Sequence, residues 1–130
     1  MSKQIFYDFV RAINGQNVDA LCSLMTDDHL FIDSQGNKTA GKEKMREGWT
    51  GYFQLFPDYK IEATDLFELG DTVAAFGFAG GTYQGSKERK ENSWRLPASW
   101  KAVFRNGKVV QWQVYVDSKI PYDIINGAKK

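Results

Sequence analysis

Cysteine and histidine each occur once in this chain, and proline only three times. The lone Cys22 excludes an internal disulfide, and the lone His29 excludes a His-rich metal site, for which no Cys or carboxylate spacing offers a substitute. No metal and no other cofactor is expected. Charge of one sign is lacking too. Seventeen Lys plus Arg against sixteen Asp plus Glu leave +1, a field too weak to hold a polyanion, so nucleic acid is not an expected partner. No apolar run reaches the roughly 18 residues of a membrane-spanning helix, and no basic start is followed by a signal-like apolar stretch. The expectation is a cytoplasmic protein without a membrane partner, in which Asn37-Lys38-Thr39 is not a glycosylation site. Repeats, low-complexity tracts and Pro/Gly-rich linkers are also missing, so residues 1–130 are expected to form one domain, long enough to bury a core without staples.

Aromatic side chains are what the chain has in excess. Nine Phe, six Tyr and four Trp make up 15% of it, more than closing a core of this size requires. They imply an aromatic pocket or an apolar interface, and composition does not choose between the two.

Periodicity orders the chain. Ile5, Phe6, Phe9, Val10 and Ile13 recur at helical spacing until Asn14-Gly15. Asn17 is an N-cap candidate for a shorter helix with Val18, Leu21, Leu24 and Met25 on one face and Cys22 beside it, stopped at Thr26-Asp27-Asp28. A short strand from His29 to Asp33 follows, closed by the turn cluster Ser34-Gln35-Gly36-Asn37. Met45, Trp49, Tyr52, Phe53 and Phe56 define a third helix from about Lys42 to the breaker Pro57. Ile61–Leu69 and Thr72–Tyr83 form a hairpin around Gly70-Asp71, and Trp94–Phe104 and Val109–Asp117 form another around Asn106-Gly107. Pro97 marks an edge or a bulge in its strand. The alternating run Lys87-Glu88-Arg89-Lys90-Glu91 reads as a solvated loop, and the tail from Ile120 as short. Gly77, Gly80, Gly81 and Gly85 lack phosphate-loop spacing and sit in a strand pattern, which points to bulges or close backbone approach.

Three helices cannot cover both faces of such a sheet. The fold class is therefore α+β, with three helices from the N-terminal half packed on a curved, mainly antiparallel sheet and an apolar cavity between them. Val114, Val116 and Phe76 are expected on the opposite face, which a second copy would hide, giving a homodimer through the sheet.

This element order, with Phe31-Ile32-Asp33-Ser34-Gln35-Gly36 followed by Ala40-Gly41-Lys42-Glu43, Gly81-Thr82-Tyr83-Gln84-Gly85 and Phe104-Arg105-Asn106-Gly107-Lys108-Val109-Val110-Gln111-Trp112, resembles the NTF2-like superfamily. The likeness is to its SnoaL-like polyketide cyclase and ketosteroid isomerase branches. It implies an NTF2-like cone, but this fold hosts isomerases, hydrolases, dehydratases, cyclases and proteins without chemistry. Asp33 falls where the isomerases keep the carboxylate that moves a proton between carbons. Phe9 occupies the position of their oxyanion Tyr, and Trp100 that of their protonated Asp. Both oxyanion donors are thus gone, each worth about 3–4 kcal/mol of transition-state stabilisation in other enzymes, which argues against steroid isomerisation by that route. Asp117 falls where the cyclases carry an acid near the end of the last strand. Tyr83 stands where they often have His, and a phenol titrating near 10 is a poor base.

Asp33 shares a strand face with His29 and Phe31. On a cavity wall, desolvation would make it a base; at the head of the Ser34-Gln35-Gly36 turn it would accept backbone amides instead. Asp33 and Asp117 are the catalytic candidates, the latter also a possible cap or partner of Lys119. His29, Phe9, Trp49, Tyr52, Tyr83, Trp100 and Trp112 are the candidate ligand contacts, with Trp100 and Tyr83 best suited to donate to a bound carbonyl. Two functions remain open: a cofactor-independent isomerase, lyase or cyclase acting on a small apolar carbonyl compound, and a non-catalytic module that binds such a molecule or only dimerises.

Overall fold

In the computed structural model, which describes residues 2–83 and 92–128, α1 (Ser2–Asn14) buries Phe6, Phe9, Ala12 and Ile13 as one stripe. The helix ends at Gln16, whose positive φ of 57° lets Asn17 N–H return to Ala12 O at 2.9 Å. Asn17 then caps α2 (Val18–Ser23), its side chain accepting from Ala20 N–H at 3.0 Å. α3 (Lys42–Leu55) stops one residue before Pro57's neighbour Phe56 closes the last turn onto Tyr52 O.

The six strands are β1 (Met25–Ile32), β2 (Lys38–Ala40), β3 (Lys60–Leu69), β4 (Thr72–Thr82), β5 (Ser93–Arg105) and β6 (Lys108–Val116). They form one sheet in the order β2-β1-β6-β5-β4-β3, antiparallel throughout except for the parallel β1–β6 pair. Both expected hairpins are present. Asn106 and Gly107 take φ of 53° and 78°, the left-handed pair a two-residue β5–β6 turn requires. Pro97 sits inside β5, at a place where that strand has a neighbour on one side only, because β6 ends opposite Ala98.

Four features differ from the sequence reading. β1 begins at Met25 and not at His29, because β6 captures the chain there, Val109 N–H donating to Leu24 O at 2.7 Å. β2 is an added strand of three residues that folds back on β1. A fourth helix, α4 (Lys119–Ala128), replaces the short tail; Pro121 lies in its first turn, where a missing N–H costs nothing. Val114 and Val116 belong to the cavity side of the sheet, not to its outer face. The alternating charges at 87–91, and Gln84 and Gly85, lie outside the described residues.

The concave side of the sheet carries the helices, α1 against β3, β4 and β6, and α3 against β1 and β2. Sheet curvature is set partly at Gly77. The β3–β4 register slips between Ala63 and Asp65, and this bulge brings Glu62 O so near that a Cβ on Gly77 would lie 1.8 Å from it. Gly81 likewise admits the end of α3, its missing Cβ being 3.1 Å from Phe56 Cβ. On the convex side Phe67, Leu69, Phe76 and Tyr115 are exposed, while Arg95 covers the Phe78 ring at 4.0 Å.

Candidate functional site

Helical spacing on α3 puts Trp49 and Tyr52 over the concave sheet, and period two on β5 and β6 turns Trp94, Trp100 and Trp112 up to meet them. Between them lies a cavity of about 340 Å³, within the lower part of the range for small-molecule sites. Pro121, Tyr122 and Ile125 of α4 form one wall, and Val114 and Val116 part of the floor. The rings interlock: Trp49 meets Tyr52 edge-on at 6.3 Å, and Tyr52 meets Tyr59 at 4.9 Å and 89°.

Asp33 stands at the mouth of this cavity and also closes the β1–β2 turn. Its Oδ1 accepts the backbone N–H groups of Gln35 and Asn37, both at 2.9 Å, and its Oδ2 accepts Asn37 Nδ2–H at 3.1 Å. Asp33 therefore both lines the cavity and holds the turn. Asp33 is the one ionisable carboxylate among the described lining residues, and no Lys, Arg or His joins it there.

The other candidates divide. Trp49, Tyr52, Trp100 and Trp112 line the cavity; His29, Phe9, Tyr83 and Asp117 do not. His29 lies behind the wall, fully buried, its ring 6.3 Å from that of Phe9. Its Nδ1–H donates to Val109 O at 2.8 Å, which assigns the proton to Nδ1. Burial lowers its pKa and outweighs the opposing pull of that carbonyl, so the ring is neutral. Phe9 packs on Trp112 with centroids 4.6 Å apart. Tyr83 is buried edge-on to Phe56 at the end of β4. Asp117 is exposed, and its Oδ1 accepts Lys119 N–H at 3.1 Å at the start of α4, as a cap.

Several wall residues are not among the candidate contacts named above. Trp94 carries the same period-two signal as Trp100, six positions earlier on the same strand. Tyr59 follows the Pro57-Asp58 break and gave no periodic signal. The α4 residues belong to a helix the sequence reading lacked. Burial raises the pKa of both Tyr52 and Tyr59 above the usual 10, for Tyr52 with added repulsion from Tyr59 and Tyr122. Both phenols are therefore neutral hydrogen-bonding groups and not bases. Among the described residues no three His, Cys, Asp or Glu side chains gather where a metal ion could sit, and no helix is long and apolar enough to cross a membrane.

The profile of the SnoaL-like domain family matches residues 6–112. The chain belongs to that family. Solved structures agree on an NTF2-like cone. This SnoaL-like chain superposes with a TM-score of 0.75 on a protein of ketosteroid isomerase-like fold from Catenulispora acidiphila, crystallised with trimethylamine, at 20% identity over 85% of this chain and 83% of the other. A candidate SnoaL-like polyketide cyclase from Shewanella denitrificans gives 0.81 at 12% identity, over 97% of each chain. TerC, co-crystallised with polyporic acid, gives 0.79 at 14% identity over 96% of this chain and 98% of its own. At such identities the likeness is one of fold. No protein of curated function matches the sequence.

Proposed function

We propose that this SnoaL-like protein binds a small, mostly apolar, carbonyl-bearing molecule in the cavity under α3 and α4. The observation that carries the reading is the cavity itself, about 340 Å³ walled by aromatic rings, with one carboxylate at its rim. Two neighbours of the same fold, crystallised with trimethylamine and with polyporic acid, accord with a small-molecule site. Trp49, Tyr52, Trp100 and Trp112 supply the wall, and Phe9 and His29 back it.

Gly48 offers a direct test. It sits on α3 at the cavity mouth, and a Cβ there would meet only the flexible end of Met45, at 3.7 Å. Leu is also a better helix former than Gly by about 0.8 kcal/mol. Gly48→Leu should keep the fold and weaken binding of indane, a bicyclic hydrocarbon, by at least about tenfold, a loss of roughly 1.4 kcal/mol, in a calorimetric titration. Equal affinities in the two proteins would remove the cavity from the account.

A second reading adds chemistry. Oδ2 of Asp33 accepts a single hydrogen bond, so a lone pair remains to take a proton from a ligand at the mouth. Cofactor-independent proton transfer, of the isomerase, lyase or cyclase type, follows from that position. In this reading Asp117 contributes through its cap on α4.

The exposed Phe67, Leu69, Phe76 and Tyr115 of the convex face form the surface we assign to a second copy of the chain. Phe76→Glu is then expected to halve the sedimenting mass. A wild-type protein that sediments as a monomer at micromolar concentration would contradict the assignment.

A further inference from the structure

β1 and β6 lose register beside the only histidine of the chain. Met25 pairs with Val109 and Leu30 with Gln111, so Thr26, Asp27, Asp28 and His29 stand opposite Val110 alone. Such a bulge interrupts the ladder and needs other bonds to hold it. His29 supplies them. Its Nδ1–H donates to Val109 O at 2.8 Å, beside the point where Val109 N–H donates to Leu24 O at 2.7 Å. Its own carbonyl accepts Gly41 N–H at 2.7 Å, at the residue that opens α3. Its ring lies 6.3 Å from that of Phe9, which packs on Trp112 of the cavity wall.

These bonds suit a neutral ring only. His29 is fully buried, and its Nε2 has no hydrogen-bond partner among the described residues. A proton arriving there would create a buried cation whose new N–H lacks an acceptor, a costly state. Compensating charge is scarce. Among the described residues Asp28, on the same strand, is the one charged group that acts on the ring, and it is exposed and paired with Arg105 at 2.7 Å. Asp8 and Arg11 of α1 pair with each other, Lys42 of α3 pairs with Asp27, Lys108 of β6 donates to Ser23 O and Lys38 of β2 is exposed; none of them acts on His29. The Cys22 thiol of α2 is kept protonated by burial. Burial likewise keeps the folded imidazole neutral below its usual pKa of 6.5, whereas an opened ring takes up a proton at that value. The stability contributed by the neutral ring is thus complete above pH 6.5 and is lost as the pH falls below it.

We propose that His29 is a pH-sensitive clasp, protonation of which opens the β1 bulge from β6 and unseats the start of α3, the helix that carries Trp49 and Tyr52. The opening is a property of the chain itself and does not depend on what the cavity receives. It differs from general acid unfolding in being local: the β3–β4 and β4–β5 ladders, at the far side of the sheet, keep their bonds.

Two backbone amides report the clasp directly, Val109 N–H on Leu24 O and Gly41 N–H on His29 O. Their hydrogen exchange, corrected for its intrinsic pH dependence, can be followed by NMR from about pH 7.5 to about pH 5, above the midpoints of ordinary carboxylates. The expected result is that protection at both falls by up to about tenfold per pH unit once the usual histidine value is passed, one proton being taken up on opening, while protection of the β4 amides holds. His29→Asn keeps a side-chain N–H for Val109 O and cannot gain a charge, so protection in that variant should not follow pH over the same range. If the variant fails to fold, the wild-type ring decides. As the only histidine it gives one unambiguous pair of imidazole ¹⁵N signals, and in the closed form these should remain those of the neutral Nδ1–H tautomer below pH 6.5. Protection at Val109 and Gly41 that stays constant over the range, or a ring that titrates at 6.5 or above with the fold intact, would overturn the proposal. Equal loss at every amide would overturn it as well, since His29 would then govern global stability and not a local clasp.

Discussion

Gly77→Ala is expected to unfold the protein or to lower its stability by at least about 3 kcal/mol, the upper part of the range for overpacking. The added Cβ would lie 1.8 Å from Glu62 O, 2.8 Å from the Glu62 carbonyl carbon and 3.0 Å from Ala63 Cα. All three are backbone atoms of the neighbouring strand, so no rotamer change relieves the clash. Relief would require β3 and β4 to part at the bulge after Ala63. That loss is large against a typical stability of about 5–15 kcal/mol. Gly51→Ala is the control: Gly51 lies within α3 with nothing within 4 Å of its missing Cβ, and the same substitution there should stabilise by about 1 kcal/mol. Urea unfolding midpoints of the two variants should move in opposite directions. An unchanged midpoint for Gly77→Ala would show that the bulge does not hold the sheet as described.

Asp33→Asn is expected to abolish the second proposed activity while leaving the protein folded. The assay needs no knowledge of the natural substrate. An active-site base that removes and returns the C2 proton of 1-indanone in D₂O replaces it by deuterium, which NMR follows directly. Asn retains the Oδ1 acceptor for Gln35 and Asn37 N–H, but it places an N–H donor where Oδ2 faced the Asn37 amide. The stability cost of that mismatch is about 1–3 kcal/mol, whereas loss of a general base costs about 10²- to 10⁴-fold in rate. Exchange at the same rate in wild type and variant, or exchange in wild type no faster than in buffer, would leave Asp33 with its turn alone.

The parts of the fold that were legible in the sequence rest on local rules. The apolar stripe of α1, the Asn17 cap, Pro57 after α3 and Asn106-Gly107 in the last hairpin each act over a few residues, and each is present. What was not legible depends on distant partners. β1 starts at Met25 because β6 pairs with it, and β2 is too short for alternation to show. α4 carries Pro121 in its first turn and was read as a tail.

The same division runs through the site. The α3 face gave Trp49 and Tyr52, and strand alternation gave Trp100 and Trp112. His29 does share a face with Phe31 and Asp33, but α1 lies over that end of the strand, where Phe9 meets the His29 ring, and the cavity begins farther along at Phe31. Sequence period identifies the face of a strand; it does not identify which part of that face a helix covers. Trp94 carries the same period as Trp100, and nothing in the sequence preferred one of the two over the other for the wall.

The space under α3 and α4 is proposed to receive a small apolar molecule. Intermolecular nuclear Overhauser effects between indane and the methyl groups of Val114, Val116 and Ile125 test it most directly, since all three side chains line the cavity. Cross-peaks are expected to all three, and to none of the methyls of Leu69 on the convex face. Contacts to Leu69 alone, or no contacts at saturating indane, would contradict it.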